Sequence, residues 1–173
     1  AQGLVMYEEE FRKISGICDR LTRDASAKVV FLVDKNGQLI AAAGQAQNLD
    51  TTSLASLTAG NVAAMGGLAK LMGENEFPSQ FHEGARESIH MSIVAGKVVL
   101  VVIFDAKSSL GLVRLRVKKA TEELGHVLRV EGARRGEQRS KLAAEVDDVE
   151  GEARSLVGRP RFRRLVRHGV LPR

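Results

Sequence analysis

Asn36-Gly37 stands between a β-rich run, Lys28 to Val33, and a second apolar run, Gln38-Leu39-Ile40. This arrangement constrains the fold more than any other feature of the chain. Both residues tolerate positive φ, which the tight connection of a β-hairpin requires. The two runs are therefore expected to pair as antiparallel strands. A turn aspartate ordinarily accepts hydrogen bonds from its own backbone, so Asp34 is assigned that role rather than the role of a metal ligand or catalytic acid.

Other segments extend the pattern. Glu8 to Asp24 places Phe11, Ile14, Cys18 and Leu21 at helical spacing with charged residues elsewhere on the wheel. Asp50-Thr51-Thr52-Ser53 supplies N-cap chemistry for a long helix ending near Met72-Gly73. Gln80-Phe81-His82, Ile89 to Ile93 and Val98 to Phe104 read as strands, the last two joined through Val94-Ala95-Gly96-Lys97 as a second hairpin. Ser108-Ser109 can cap a final helix with Leu110, Val113, Val117, Ala120 and Leu124 on one face. The expected fold is an α+β sandwich of order α-β-β-α-β-β-β-α. Its centre is a five-stranded antiparallel sheet with helices on both faces.

Charge divides the chain into two parts. The net charge is +5, yet residues 1–125 hold 14 Lys and Arg against 14 Asp and Glu. The whole excess thus lies in a tail, residues 126–173, and the body is neutral by count. No Trp is present and only 4% of residues are aromatic, which argues against base-stacking nucleic-acid recognition. A single cysteine, Cys18, excludes an internal disulfide and multi-cysteine metal sites and suits a reducing cytoplasm. The longest apolar stretch, Val98 to Phe104, is far shorter than the ~20 residues a membrane helix needs. A soluble protein is expected.

Searches for catalytic motifs find neither a phosphate-binding loop, a nucleophile elbow nor a metalloprotease helix. Gly60 to Gly67 falls within a helix and lacks the lysine a phosphate loop requires. His82 and His90, in strand-like segments, are candidates to approach each other across the sheet; with Glu83 or Glu87 they would form a metal site, but surface or strand-pairing positions explain them better. No active site, cofactor site or metal site is assigned.

The informative segment is the helix after Asp50. At 100° per residue, Leu54, Leu57, Asn61, Ala64, Met65, Leu68 and Met72 cluster as the expected core face. The other side holds Ser56, Gly60, Ala63 and Gly67, with Lys70 at its edge. Glycine inside a helix costs about 1 kcal/mol relative to alanine. Its repetition on a solvent stripe fits either a tight crossing within the monomer or close approach of a second subunit or partner.

Val29-Val30-Phe31-Leu32-Val33-Asp34-Lys35-Asn36-Gly37 is followed by Leu54-Ala55-Ser56-Leu57-Thr58-Ala59-Gly60-Asn61-Val62-Ala63-Ala64-Met65. Leu71-Met72-Gly73-Glu74-Asn75-Glu76-Phe77, Phe81-His82-Glu83-Gly84 and Val98 to Asp105 complete a pattern that resembles the Roadblock (dynein light chain) family over roughly Leu4 to Gly125. The match is closest to its bacterial gliding-motility branch. The resemblance implies a cytoplasmic homodimer, concentrated at a cell pole, that binds one Ras-like small GTPase with two copies of the chain. It further implies stimulated GTP hydrolysis in the service of cell polarity. The partner's own catalytic residues are repositioned, with no inserted arginine finger. Ser56, Ala59, Gly60, Ala63, Gly67 and Lys70 become the partner-binding residues, with Ala63 and Gly67 on the family's GTPase-contacting helix. The alternative is a non-catalytic dimeric adaptor anchored by the basic tail.

From about His126 the resemblance fails. Leu142, Val146, Val149, Ala153 and Leu156 keep a 4-3-4-3 spacing, leaving a short helix and an unfolded tail both open. Arg159 to Arg167 is basic and partly apolar, suited to anionic membranes, nucleic acid or an acidic protein, or simply to solvation.

Overall fold

The computed structural model describes residues 8–158, with the side chains of residues 152–153 and 156–158 excepted. The basic segment from Arg159 to Arg167 lies outside them. The chain divides into a first unit, Ala1–Glu131, and a second, Gly132–Arg173.

In the first unit the order is α1 (Glu8–Asp24), β1 (Val29–Asp34), β2 (Leu39–Gly44), a short 3-10 turn (Ala46–Asn48), α2 (Thr51–Leu71), β3 (Ser79–His82), β4 (Ser88–Val94), β5 (Val98–Phe104) and the start of α3 (Leu110–Gly158). The strands form one antiparallel sheet in the order β2-β1-β5-β4-β3. The expected element order and sheet are therefore observed.

Both hairpins form where the turn residues place them. Asp34 is buried, and its Oδ1 accepts the backbone N–H groups of Asn36 and Gln38, each at 2.9 Å. Only Gly37 takes a positive φ, at 87°, because the connection is longer than a two-residue turn and the ladder shifts register between Leu32 and Val33. In the second hairpin Ala95 and Gly96 both have positive φ.

β1 and β5 are buried on both faces, so their side chains alternate between two cores. Val30, Leu32, Leu100 and Val102 pack with α1 and α3, whereas Phe31, Val33, Val99 and Val101 pack with α2. Each fully buried Val or Leu contributes about 1.5–3 kcal/mol relative to exposure. These two strands are the principal hydrophobic anchor of the unit. On α1 the inward face is Ile14, Ile17, Cys18 and Leu21; Phe11, expected there, is 46% exposed. Burial pushes the Cys18 thiol up to about 12, with Asp19 adding to the effect, so the thiolate is suppressed.

α3 begins where the Ser109 hydroxyl accepts the Leu112 N–H at 3.2 Å, an N-cap. It seats Val113, Val117, Ala120 and Leu124 in the core, as expected. The burial continues past the boundary expected at residue 125, since Leu128 is also in that core. We propose that the body extends to Glu131, where the first unit ends.

In the second unit the helix covers the stretch whose structure was open between helix and unfolded chain. Leu142, Val146 and Val149 are exposed along it. Lys141 pairs with Glu137 and Arg154 with Glu150 at i,i+4 spacing, which adds a few tenths of a kcal/mol per pair.

Candidate functional site

α2 is held at both ends by local chemistry. Asp50 caps it, Oδ1 accepting the Ser53 N–H at 3.0 Å. That side-chain hydrogen bonding with Ser53 holds the Asp50 carboxyl below the usual carboxylate range. At the other end Gly73 has φ 82°, and the Glu74 N–H reaches back to the Ala69 carbonyl at 2.9 Å, an arrangement that closes the last turn.

The face that α2 turns to the sheet differs from the one expected. Ala55, Thr58, Val62 and Ala69 are buried there. Leu57 is 71% exposed, and Leu68, Leu71, Met72 and Ala64 are exposed as well. The inward direction is rotated by roughly 100° around the helix axis, about one residue's turn. α2 is apolar on nearly all sides, so the largest side chains do not mark the core. Small residues fill the inner face, where the helix lies close to the sheet and the first hairpin.

Of the six candidate residues, Ser56, Gly60, Ala63, Gly67 and Lys70 are exposed and Ala59 is half-buried. A β-carbon built on Gly60 or Gly67 would meet nothing within 4 Å, so neither glycine is required by packing within the monomer. This disposes of the intramolecular crossing as the reason for the glycines. Beside this stripe runs a cleft of about 180 Å³, lined by Lys35, Ala59, Val62, Ala63, Phe77 and Gln80. Lys35 and Glu76 form an ion pair at its rim, 3.5 Å apart. The cleft and the exposed Leu57 and Leu71 were not anticipated from sequence. The only available signal was that α2 carries more leucine than one buried stripe can use.

The two histidines are not brought together. His90 pairs in register with Phe81 and His82 with Ile89, which sends the two rings to opposite faces of the sheet. His90 is buried and its Nδ1 has no hydrogen-bond partner among the described residues. Burial, followed by the charge of Arg114, pushes its pKa down. Among the described residues no group of three His, Cys, Asp or Glu side chains can hold a metal ion. No described helix is long and apolar enough to cross a membrane.

An antiparallel five-stranded sheet with α2 on one face and α1 and α3 on the other is the Roadblock architecture. Residues 13–104 match the Roadblock/LC7 domain, and the chain belongs to that family. It is similar to Myxococcus xanthus MglB, with 75% identity and a TM-score of 0.70, covering 73% of this chain and 96% of that one. The gliding protein MglB of Thermus thermophilus is 30% identical with a TM-score of 0.69 over the same shares. An MglB structure in a tetrameric arrangement is likewise 30% identical, with a TM-score of 0.69, 73% of this chain and 96% of that chain being covered. No functionally curated protein matches the chain. The similarity to MglB supports an MglB-like regulator of gliding motility.

Proposed function

We propose that the chain activates a Ras-like small GTPase of the MglA type, and that it does so as a homodimer serving cell polarity. The observation that carries this reading is the outer face of α2. Gly60, Ala63 and Gly67 are open there, with Leu57, Leu68 and Leu71 exposed beside them, on a chain similar to MglB, whose Thermus thermophilus form is a gliding protein.

The face divides by chemistry. Bulky exposed leucines on one helix are energetically suited to burial against a second copy. The adjoining stripe of Ser56, Gly60, Ala63, Gly67 and Lys70, with Ala59 at the cleft, lets the GTPase approach closely. Phosphoryl transfer depends mainly on positioning and charge stabilisation. A dimer that reorders the partner's own catalytic residues therefore accelerates hydrolysis without supplying a catalytic group.

The test mixes the purified chain with a GTP-loaded MglA-type GTPase and follows single-turnover hydrolysis. Faster hydrolysis that Ala63→Arg or Gly67→Arg removes supports the reading. Binding without acceleration identifies a dimeric adaptor instead.

A further inference from the structure

The body is neutral in sum over residues 1–125, but its charge is unevenly placed. Between Asp105 and Glu122 the chain carries Lys107, Arg114, Arg116, Lys118 and Lys119 and no carboxylate. All five cations are exposed. Of the nine other cations in residues 1–125, five are in ion pairs, Arg12 with Glu8, Lys13 with Glu9, Arg20 with Glu123, Lys28 with Glu87 and Lys35 with Glu76. The rest, Arg23, Lys70, Arg86 and Lys97, stand singly on separate segments. None of the five cations between Asp105 and Glu122 makes an ion pair among the described residues, and all but Lys107 lie on α3.

Their arrangement on α3 follows from the residues that face inward. Val113, Val117 and Ala120 fasten the helix to the sheet. At 100° per residue, Leu115 lies roughly 160° around the helix from Val113. Arg114 and Lys118 flank it on one side and Lys119 on the other. Leu115 is 63% exposed. The outer ridge of the helix therefore carries one apolar side chain among unpaired cations. It belongs to the sheet face covered by α1 and α3, away from α2.

We propose that this ridge docks on an anionic phospholipid bilayer. Its cations lie against the headgroup phosphates and Leu115 enters the interface. Clusters of four to eight Lys and Arg on a helix are the charge density that anionic leaflets attract. An apolar side chain at the centre adds burial that a purely electrostatic partner does not reward. Arg116 and Lys119 border a shallow cleft against α1, but Arg114, Leu115 and Lys118 stand on the outer helix surface, which suits a broad charged plane better than an extended acidic peptide. The candidate site on α2 remains free, so membrane attachment and partner binding are compatible. This inference does not depend on the GTPase reading.

The experiment is co-sedimentation of the full chain with vesicles of phosphatidylglycerol and phosphatidylcholine in equal parts, against vesicles of phosphatidylcholine alone. Binding to the first and not the second is expected, weakening as salt rises. Arg114→Gln/Lys118→Gln/Lys119→Gln keeps good helix formers at exposed positions and should lower the partition coefficient about 100-fold, near fivefold per cation. Leu115→Ser should lower it about tenfold. A tail variant with Arg161, Arg163, Arg164 and Arg167 changed to Gln should retain most of the binding. Circular dichroism confirms that each variant is folded. Three results overturn the proposal: equal binding to both vesicles, loss in the tail variant with none in the α3 triple variant, or release by polyglutamate with Leu115→Ser behaving as wild type. The last result would mark an acidic protein surface.

Discussion

Gly37, at the tip of the first hairpin, lies so close to Ser56 of α2 that a β-carbon on the glycine would stand 3.2 Å from the Ser56 Cα. The glycine also holds a φ of 87°. A single residue thus sets how near the hairpin comes to the first turns of the helix that carries the candidate site. Gly37→Ala meets both obstacles, an unfavourable backbone and a backbone neighbour. It should cost about 1–3 kcal/mol, read as a lower midpoint in urea with an unchanged slope. Wild-type stability would show that hairpin and helix separate freely.

The two halves of the outer α2 face should respond differently to charge. Leu68→Glu places a carboxylate among exposed leucines and should shift the protein toward monomer in light scattering. Ala63→Arg should leave the oligomer and its melting temperature intact while removing GTPase stimulation. A buried, unpaired guanidinium against a partner is costly, and in the free protein that side chain reaches solvent. If Ala63→Arg dissociates the oligomer, the small-residue stripe belongs to the subunit seam.

His90 makes stability depend on pH in a defined direction. Burial first, and Arg114 second, push its pKa below the ordinary value of 6.5. The folded protein therefore resists protonation while the unfolded chain accepts it. The stabilisation is complete above about 6.5 and is lost as the pH falls toward the depressed folded value. His90→Met should flatten this part of the profile in denaturant titrations at a series of pH values. An unaltered profile would assign the acid sensitivity to other groups.

Truncation tests the limit of the body. Cutting after Gly125 removes Leu128, which is buried in the core shared by α1, α3 and the sheet. Cutting after Glu131 keeps it. The shorter form should be less stable by about 2–5 kcal/mol, the range for deleting a buried leucine side chain. Equal thermal midpoints for the two forms would return the boundary to residue 125.

Local chemistry was legible in the sequence. Asn36-Gly37 with Asp34, the Asp50 and Ser109 caps and Gly73 act through neighbours a few residues away. They marked turns and helix ends without reference to the rest of the chain. The β-rich runs identified the five strands for the same reason. The exposed positions of Gly60, Ala63 and Gly67 were also legible, because glycine repeated in a helix has a backbone cost that invites an explanation outside the core.

Tertiary structure decided what required comparing distant surfaces. The inner side of α2 went to Ala55, Thr58, Val62 and Ala69 rather than to the leucines, since a helix apolar all round has no periodicity to choose a face. His82 and His90 were separated by strand register, because neighbouring positions in a ladder alternate between faces. The strand order β2-β1-β5-β4-β3 and the reach of α3 past Gly125 likewise arise from pairing and burial between remote segments. Charge followed the same division: the sequence counted the cations of residues 107–119. Only the inward packing of Val113, Val117 and Ala120 turned Arg114, Leu115, Lys118 and Lys119 to a common solvent ridge.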